Sequence, residues 1–248
     1  MILLGENWYI NISRVLNKMR ESLDILIFGA HADDAEIGMG ATIAKHTDLG
    51  LRVGICDLTY AEMSSNGTVE TRIEEAEQAA KILGLTVRTN LGLPDRGLYV
   101  TQTNIERITL EIRKYKPRMV FAPYWQDRHP DHIACSGLVQ EAVFNAKLRK
   151  YLSESEPVNV EQMYFYFIND VYEADLMVNV TDYYDKKLAA LSAYRSQFIT
   201  GQGTVSTPLN QGYVERVEAR DRLMGQKRML TYAEGFVSKL PFMVERFD

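Results

Sequence analysis

The sequence has little cysteine, a shortage of basic charge and no long apolar run, and each shortage excludes a class of protein. Its two cysteines, Cys56 and Cys135, lie far apart in apolar segments. We therefore predict that both are reduced and buried, because a disulfide framework would show several cysteines at short spacings. The net charge of -5 disfavours nonspecific binding to nucleic acid or anionic membrane, since such binding needs a basic surface.

Apolar residues never form a run long enough to cross a bilayer, and the opening segment MILLGEN is too short for a signal-peptide core. We therefore expect a cytoplasmic protein without membrane contact. The 248 residues, 46% of them hydrophobic, fit one large α/β domain with a substantial core. The expected partner is a small molecule.

Residues 24 to 150 repeat a short apolar run, a loop and a segment with helical spacing. This pattern predicts strands at 24–28, 52–58 and 118–121, and helices at 37–45, 68–84, 103–114 and 131–150. Strands that alternate with helices are joined by right-handed crossovers. We therefore predict an α/β fold: a Rossmann-like, mostly parallel sheet with helices on both faces.

Two of these helices carry specific predictions about their ends and faces. Thr68 is predicted to cap the first of them and Gly84 to end it. Its buried face is predicted to contain Ile73, Ala76, Ala80 and Leu83. Thr103 and Glu106 form a capping-box pattern for the next helix.

The C-terminal part is less regular. Strands are predicted at 163–168 and 176–180, helices at 182–198 and 213–224, and a mobile loop between the two helices at 201–208. We interpret residues 23–248 as a single domain and residues 1–22 as an extension outside the fold. The extension either packs on a neighbour through a small apolar face or is poorly ordered.

Three of the four histidines fall in two clusters, His31-Ala32-Asp33-Asp34 and His129-Pro130-Asp131-His132, each directly after a predicted strand. The carboxyl ends of parallel strands gather along one edge of a sheet, so we expect both clusters in a single crevice. Imidazole and carboxylate ligands without cysteine suit Zn²⁺ or another first-row metal. An open site of this kind supports hydrolysis. One of the paired aspartates can bind the metal while its neighbour remains free as a general base.

The motif AHADDAEIGMGATIAKH with the later HPDH is similar to the LmbE-like (PIG-L type) zinc N-deacetylases. The segments GICDLTYAEMSSNGTVETR, NLGLPDRGLY, FAPYWQDRHPDH and YAEGF extend the similarity over residues 24 to about 240, towards the family members that act in bacillithiol biosynthesis. The resemblance implies that His31, Asp34 and His132 bind one Zn²⁺ per subunit and that Asp33 is the general base. It also implies catalytic roles for His129 and Tyr213, and Asp131 is placed to orient an imidazole.

Three arginines, Arg72, Arg96 and Arg128, lie on or next to predicted carboxyl-edge loops. A guanidinium group can bind a carboxylate through two hydrogen bonds, so we predict that at least one of them contacts a malate-like aglycone. The implied reaction removes the acetyl group of N-acetylglucosaminyl malate and gives glucosaminyl malate and acetate. Family analogy also suggests a homo-oligomer, such as a hexamer.

Two other interpretations remain open. One is a deacetylase that acts on a different N-acetylglucosamine conjugate. The other is a noncatalytic, Rossmann-like metal-binding module, whose structural metal would need a fourth protein ligand from Cys135 or His46.

Overall fold

The computed structural model describes residues 22–241 and residue 246. Within them, one sheet is built from seven strands: β1 (Ile25–Gly29), β2 (Val53–Thr59), β3 (Val87–Leu93), β4 (Met119–Pro123), β5 (Gln162–Tyr166), β6 (Leu176–Asn179) and β7 (Ala233–Val237). Their order across the sheet is β3-β2-β1-β4-β5-β7-β6. The first five strands pair in parallel, whereas β7 is antiparallel to both β5 and β6.

Helices cover both faces of this sheet: α1 (Asp34–Asp48), α2 (Val69–Leu83), α3 (Gln102–Tyr115), α4 (Pro130–Ala146), α5 (Tyr184–Ala193), α6 (Arg195–Phe198) and α7 (Tyr213–Gln226). Successive residues of strand β1 belong alternately to the two hydrophobic cores, one on each face of the sheet. Ile25 and Ile27 belong to the core beneath α1, α2 and α5, while Leu26 and Phe28 belong to the core beneath α3 and α4. The mostly parallel α/β fold predicted from the sequence is confirmed.

The connections reverse direction beside β1. From β1 the chain runs outward through α1 to β2 and through α2 to β3, and α3 then returns it to β4 on the other side of β1. Strands β1 and β4 pair directly, with Ile25 opposite Met119 and Ile27 opposite Phe121. The loops that leave their carboxyl ends therefore lie side by side, at the point where open α/β sheets bind ligands.

Helix α2 buries a more polar face than predicted. The interior positions do include Ala76, Ala80 and Leu83, of which Ala80 is half-buried. Ile73, however, is 40% exposed, and Arg72 and Glu75 are buried instead. Both have polar partners, Asp33 and Ser196, which lowers the cost of their burial. The buried face of α2 that the apolar pattern predicted is therefore only partly correct.

The ends of α2 are confirmed, but the predicted cap of α3 is wrong. Thr68 accepts a hydrogen bond from the Thr71 amide at 3.2 Å, and Gly84 ends α2 with a φ of 70°. For α3 it is Thr101, rather than Thr103, that accepts from a backbone amide. The helix thus begins earlier in the chain than the capping-box pattern indicated.

The predicted helix at 182–198 is divided into a 3-10 turn (Thr181–Tyr183), α5 and α6. The break falls at Tyr194, whose buried hydroxyl donates to Glu36 Oε1 at 2.8 Å. Helix α4 ends at Ala146, short of the predicted residue 150, and strands β3 and β7 were not predicted at all. Helix α7 begins at residue 213, as predicted.

Both cysteines are free and buried, which confirms the sequence prediction. In the part of the chain that the structure describes, none of the helices is long and apolar enough to span a membrane. Apart from Ser22, the predicted extension of residues 1–22 lies outside the described residues.

Candidate active site

The loops that follow β1 and β4 enclose a cavity of about 560 Å³ at the carboxyl edge of the sheet. Its lining includes all three predicted metal ligands, His31, Asp34 and His132, together with Asp33 and His129. The parallel strands thus bring together two clusters that are about a hundred residues apart in sequence.

Asp34 lies between two imidazoles. Its Oδ2 accepts hydrogen bonds from the backbone amides of Ala30 at 2.8 Å and His31 at 3.0 Å, which fixes the carboxylate at the start of α1. Its Oδ1 is 3.1 Å from His132 Nε2, and its Oδ2 is 3.8 Å from His31 Nδ1. One ring nitrogen of each histidine is therefore directed towards the same carboxylate.

The other ring nitrogens contact further carboxylates. His132 Nδ1 is 3.0 Å from Asp127 Oδ1. His31 Nε2 is 3.2 Å from Asp95 Oδ1 and 3.5 Å from Asp131 Oδ2. A carboxylate on the outer nitrogen of an imidazole fixes the ring orientation and its tautomer, which is the usual arrangement around a metal-binding histidine.

The residues fit a divalent first-row metal. Ring nitrogens of His31, His129 and His132 lie within 4.8 Å of one another, and the Asp34 carboxylate contacts two of these three histidines. Nitrogen and carboxylate donors in such a cluster suit zinc and its neighbours in the periodic table. A second possible set, His31 with Asp95 and Asp131, shares its histidine with the first.

The fourth ligands required by a structural metal lie elsewhere. Cys135 is fully buried in the apolar core beneath α3 and α4. His46 lies near the end of α1, where its Nδ1 is 2.7 Å from the carbonyl oxygen of Thr42. Neither residue lines the cavity, so neither of the two fourth ligands that the noncatalytic interpretation named is available to the histidine cluster.

The directions of the pKa shifts indicate that the site favours positive charge between its carboxylates. Burial lowers the pKa of His132, but the charges of Asp34 and Asp127 outweigh burial and raise the pKa to about 9. Burial raises the pKa of Asp34, yet the two histidines bring it well below its usual value. His129 faces the two other imidazoles, and burial together with their charge lowers its pKa.

Asp33 points away from Asp34, although the two residues are adjacent. It adopts a φ of 119°, in the left-handed region that costs a non-glycine residue about 1–3 kcal/mol. Its buried Oδ2 lies 3.2 Å from Arg72 Nη2, and Arg72 also donates to the Ala32 carbonyl. Burial raises the pKa of Asp33 to about 6, although the Arg72 charge opposes the shift. The two carboxylates therefore have different environments.

The three arginines predicted to bind substrate all line the cavity, but they differ in their contacts. Arg72 is buried and paired with Asp33. Arg96 donates from Nη1 to Asp131 Oδ1 at 2.9 Å, and its backbone amide donates to Asp131 Oδ2 at the same distance. Arg128 is exposed at the rim of the cavity.

The remaining predicted site residues also lie here. His129 caps α4 by accepting from the Asp131 amide at 3.2 Å, and its ring stacks on His132 with centroids 4.7 Å apart. Asp131 contacts His31, as described above. The Tyr213 hydroxyl donates to Asn169 Oδ1 at 3.0 Å, at the wall of the cavity.

Three polar residues close to the histidines were not predicted from the sequence: Asp95, Asp127 and Asn169. Asn169 Nδ2 donates to Asp127 Oδ1 at 2.7 Å, so a hydrogen-bonded chain runs from Tyr213 through Asn169 and Asp127 to His132. Each of the three residues follows a strand of the parallel set, β3, β4 or β5. That strand-end position could have identified Asp127 and Asn169, whose strands were predicted, but not Asp95, because β3 was not predicted.

Comparison with known proteins agrees with this geometry. The sequence model described as GlcNAc-PI de-N-acetylase (PIG-L) matches residues 26–143, a range that contains both histidine clusters. A diacetylchitobiose deacetylase from Thermococcus kodakarensis is 31% identical over 189 residues, which cover 70% of this chain and 70% of the relative. The chain belongs to the PIG-L family.

Two further similarities extend over most of the chain. The crystal structure of the conserved protein TT1542 from Thermus thermophilus is 41% identical, with a TM-score of 0.84, and the match covers 91% of this chain and 99% of that one. A probable N-acetyl-alpha-D-glucosaminyl L-malate deacetylase 2 from Bacillus anthracis is 26% identical over 224 residues, which cover 82% of this chain and 94% of the relative.

Proposed function

We propose that this PIG-L protein is a zinc-dependent deacetylase that hydrolyses the acetamide of an N-acetylglucosamine conjugate. The observation that carries the proposal is the arrangement of the two aspartates. Asp34 contacts His31 and His132, while the neighbouring Asp33 is buried in the same cavity and is turned away towards Arg72. One carboxylate is thus placed to bind a metal and the other to handle a proton.

In this proposal His31, Asp34 and His132 hold one Zn²⁺, which when bound polarises a carbonyl group and makes water nucleophilic at neutral pH. Asp127 and Asp95 keep the two imidazoles in the orientation that ligation needs. The backbone amides of Ala30 and His31 do the same for Asp34.

Asp33 is proposed to take the proton of the attacking water as the new C–O bond forms on the acetamide carbon. The C–N bond then breaks, and the same proton passes to the departing nitrogen, which is a poor leaving group unless it is protonated. The products are acetate and the free amino sugar. Arg72 holds the Asp33 carboxylate in place. His129, at the cavity wall, is the alternative donor for the second proton transfer.

For the substrate we propose N-acetylglucosaminyl malate, an intermediate of bacillithiol biosynthesis. The support is the name of the Bacillus anthracis relative and the arginines that line the cavity. Diacetylchitobiose is a second candidate, because the Thermococcus kodakarensis relative carries that activity in its name. The first compound is anionic and the second is neutral, so the two candidates make different demands on the cavity.

The test supplies the purified protein with N-acetylglucosaminyl malate, diacetylchitobiose or free N-acetylglucosamine, before and after removal of metal by a chelator. Acetate and free amine are measured together. We expect equal amounts of both products from at least one conjugate, loss of the activity on chelation, and recovery on addition of Zn²⁺. Release of no acetate from any of the three compounds by the zinc-loaded protein would contradict the proposal.

A further inference from the structure

A second cavity of about 320 Å³ adjoins the candidate active site. The two cavities share Arg128, Asn169 and Tyr213 in their walls, together with Ile168 and Pro208. A pocket of this size can hold a small organic group, whereas the larger cavity beside it has room for a sugar. The second cavity thus extends the site away from the histidine cluster.

Its wall is basic. Three arginines, Arg128, Arg216 and Arg220, line the second cavity, and the other lining residues are neutral. Tyr213, Arg216 and Arg220 lie on one face of α7, because residues three, four and seven positions apart in a helix point the same way. The amino end of α7 is also here, and Gly212 gives it no side-chain cap. Such a helix end favours negative charge, part of which Glu215 in the first turn already supplies.

Arg220 is already occupied by protein groups. Its Nε donates to Asp221 Oδ1 at 2.9 Å, its Nη1 to the Ile168 carbonyl at 2.8 Å and its Nη2 to the Ile37 carbonyl at 2.6 Å. Its charge is balanced by Asp221, and its role is to fix α7 against the sheet. The basic character available to a ligand therefore comes from the other two arginines.

Arg128 and Arg216 are both exposed and uncompensated. Arg216 uses Nη2 to bind the Gln211 carbonyl at 2.9 Å, which leaves its charge unpaired by any acidic group that the structure describes. Arg128 makes no hydrogen bond or ion pair with a residue in the described part of the chain. Two guanidinium groups that face one cavity without a carboxylate partner match an anion with several oxygen atoms.

We propose that the second cavity binds an anionic group, a carboxylate or a phosphate, on the part of the substrate that is linked to the amino sugar, with Arg128 and Arg216 as its contacts. The inference rests on the proposed function, which places the acetamide beside the histidine cluster. It adds the location of the aglycone and assigns Arg216 to the recognition of substrate charge.

The experiment compares kcat/KM for three compounds: N-acetylglucosaminyl malate, N-acetylglucosamine 1-phosphate and the neutral methyl N-acetylglucosaminide. The variants are R128Q, R216Q and the control R222Q, which removes an exposed arginine from another position on α7 where it pairs with Glu218. We expect R128Q and R216Q to lower the ratio of anionic to neutral kcat/KM by about tenfold or more, as for the loss of a charge-assisted hydrogen bond. R222Q should leave the ratio as in the wild type.

The compound with the greater loss identifies the source of the anion, carboxylate or phosphate. A ratio that changes no more in R128Q and R216Q than in R222Q would overturn the inference, even if deacetylation itself is observed. Failure of the wild type to deacetylate any of the three compounds would count against the proposed function instead. In that case the binding of L-malate and of inorganic phosphate to the zinc-loaded proteins is measured by calorimetry. Weaker binding to R128Q and R216Q than to the wild type would still support an anion site, whereas equal binding would exclude it.

Discussion

Replacement of Gly38 by alanine tests how closely α1 packs on the sheet behind the proposed metal ligands. A methyl group at this position would lie 2.1 Å from Cδ2 and 2.8 Å from Cε2 of the Tyr166 ring. Tyr166 is fully buried, and its hydroxyl donates to the Phe28 carbonyl at 2.7 Å. The ring therefore cannot tilt away without breaking this hydrogen bond, and α1 cannot lift without moving Asp34.

The expected cost combines overpacking of the core, about 1–3 kcal/mol, with a buried carbonyl left unsatisfied, about 1–3 kcal/mol. For a protein of this size the combined loss of about 2–6 kcal/mol corresponds to a fall in Tm of roughly 4–24 °C. Thermal unfolding followed by circular dichroism measures the change. The matched control is Gly137→Ala in α4, where Val100 Cγ2, at 3.6 Å, is the one atom of the described residues that the added methyl group would meet.

The control should be neutral or more stable, because alanine is favoured over glycine inside a helix by about 1 kcal/mol. If Gly38→Ala unfolds at the temperature of the wild type, the contact between α1 and Tyr166 is looser than described, and the rigid support inferred for Asp34 is wrong.

Three further substitutions test the site and its surroundings. Asp33→Asn should keep the metal but lower kcat by about 10²–10⁴-fold, as expected for the loss of a general base. If the zinc-loaded variant keeps near-normal turnover, His129 is the better candidate for the general base. Asp127→Asn should weaken zinc binding by about 10–100-fold in a chelator competition, because it removes the negative charge that His132 Nδ1 contacts. Unchanged affinity would contradict the positioning role of Asp127. Lys187→Met removes the buried cation that Asp221 and Glu234 share, and should lower the free energy of unfolding in urea by about 3–5 kcal/mol. The exposed control Lys186→Met should lower it little. Equal effects of the two substitutions would show that the buried ion pairs add no stability.

The placement of the site could be predicted because it depends on a local rule. His31 lies in the loop after β1 and His132 in the first turn of α4, the helix that follows β4, and parallel topology brings such positions to the same edge of the sheet. The same rule, applied to polar residues without a histidine beside them, would have added Asp127 and Asn169. What it could not give is which ring nitrogen faces which carboxylate, because that depends on three-dimensional packing.

The parts that were missed depend on contacts between distant residues. Strand β7 contains the buried Glu234, which has the character of a surface residue in sequence but accepts hydrogen bonds from Lys187 and from the amides of Ala41 and Thr42. Helix α2 buries Arg72 for a similar reason, since its partner Asp33 lies on another element. The spacing of apolar residues identifies only the positions that are buried because they are hydrophobic. Where polar residues are buried in pairs, the buried face of a helix therefore differs from the predicted one.

The central claim is that His31, Asp34 and His132 hold one metal ion. Zinc content measured by atomic emission, together with acetate release, tests it in the wild type, Asp34→Asn, His132→Gln and the control His46→Ala, whose histidine lies outside the cavity. The account predicts one zinc per chain and full activity in the wild type and the control, with zinc and activity lost together in the other two proteins while all four remain folded. Folded Asp34→Asn or His132→Gln protein that binds zinc as tightly as the wild type would contradict it.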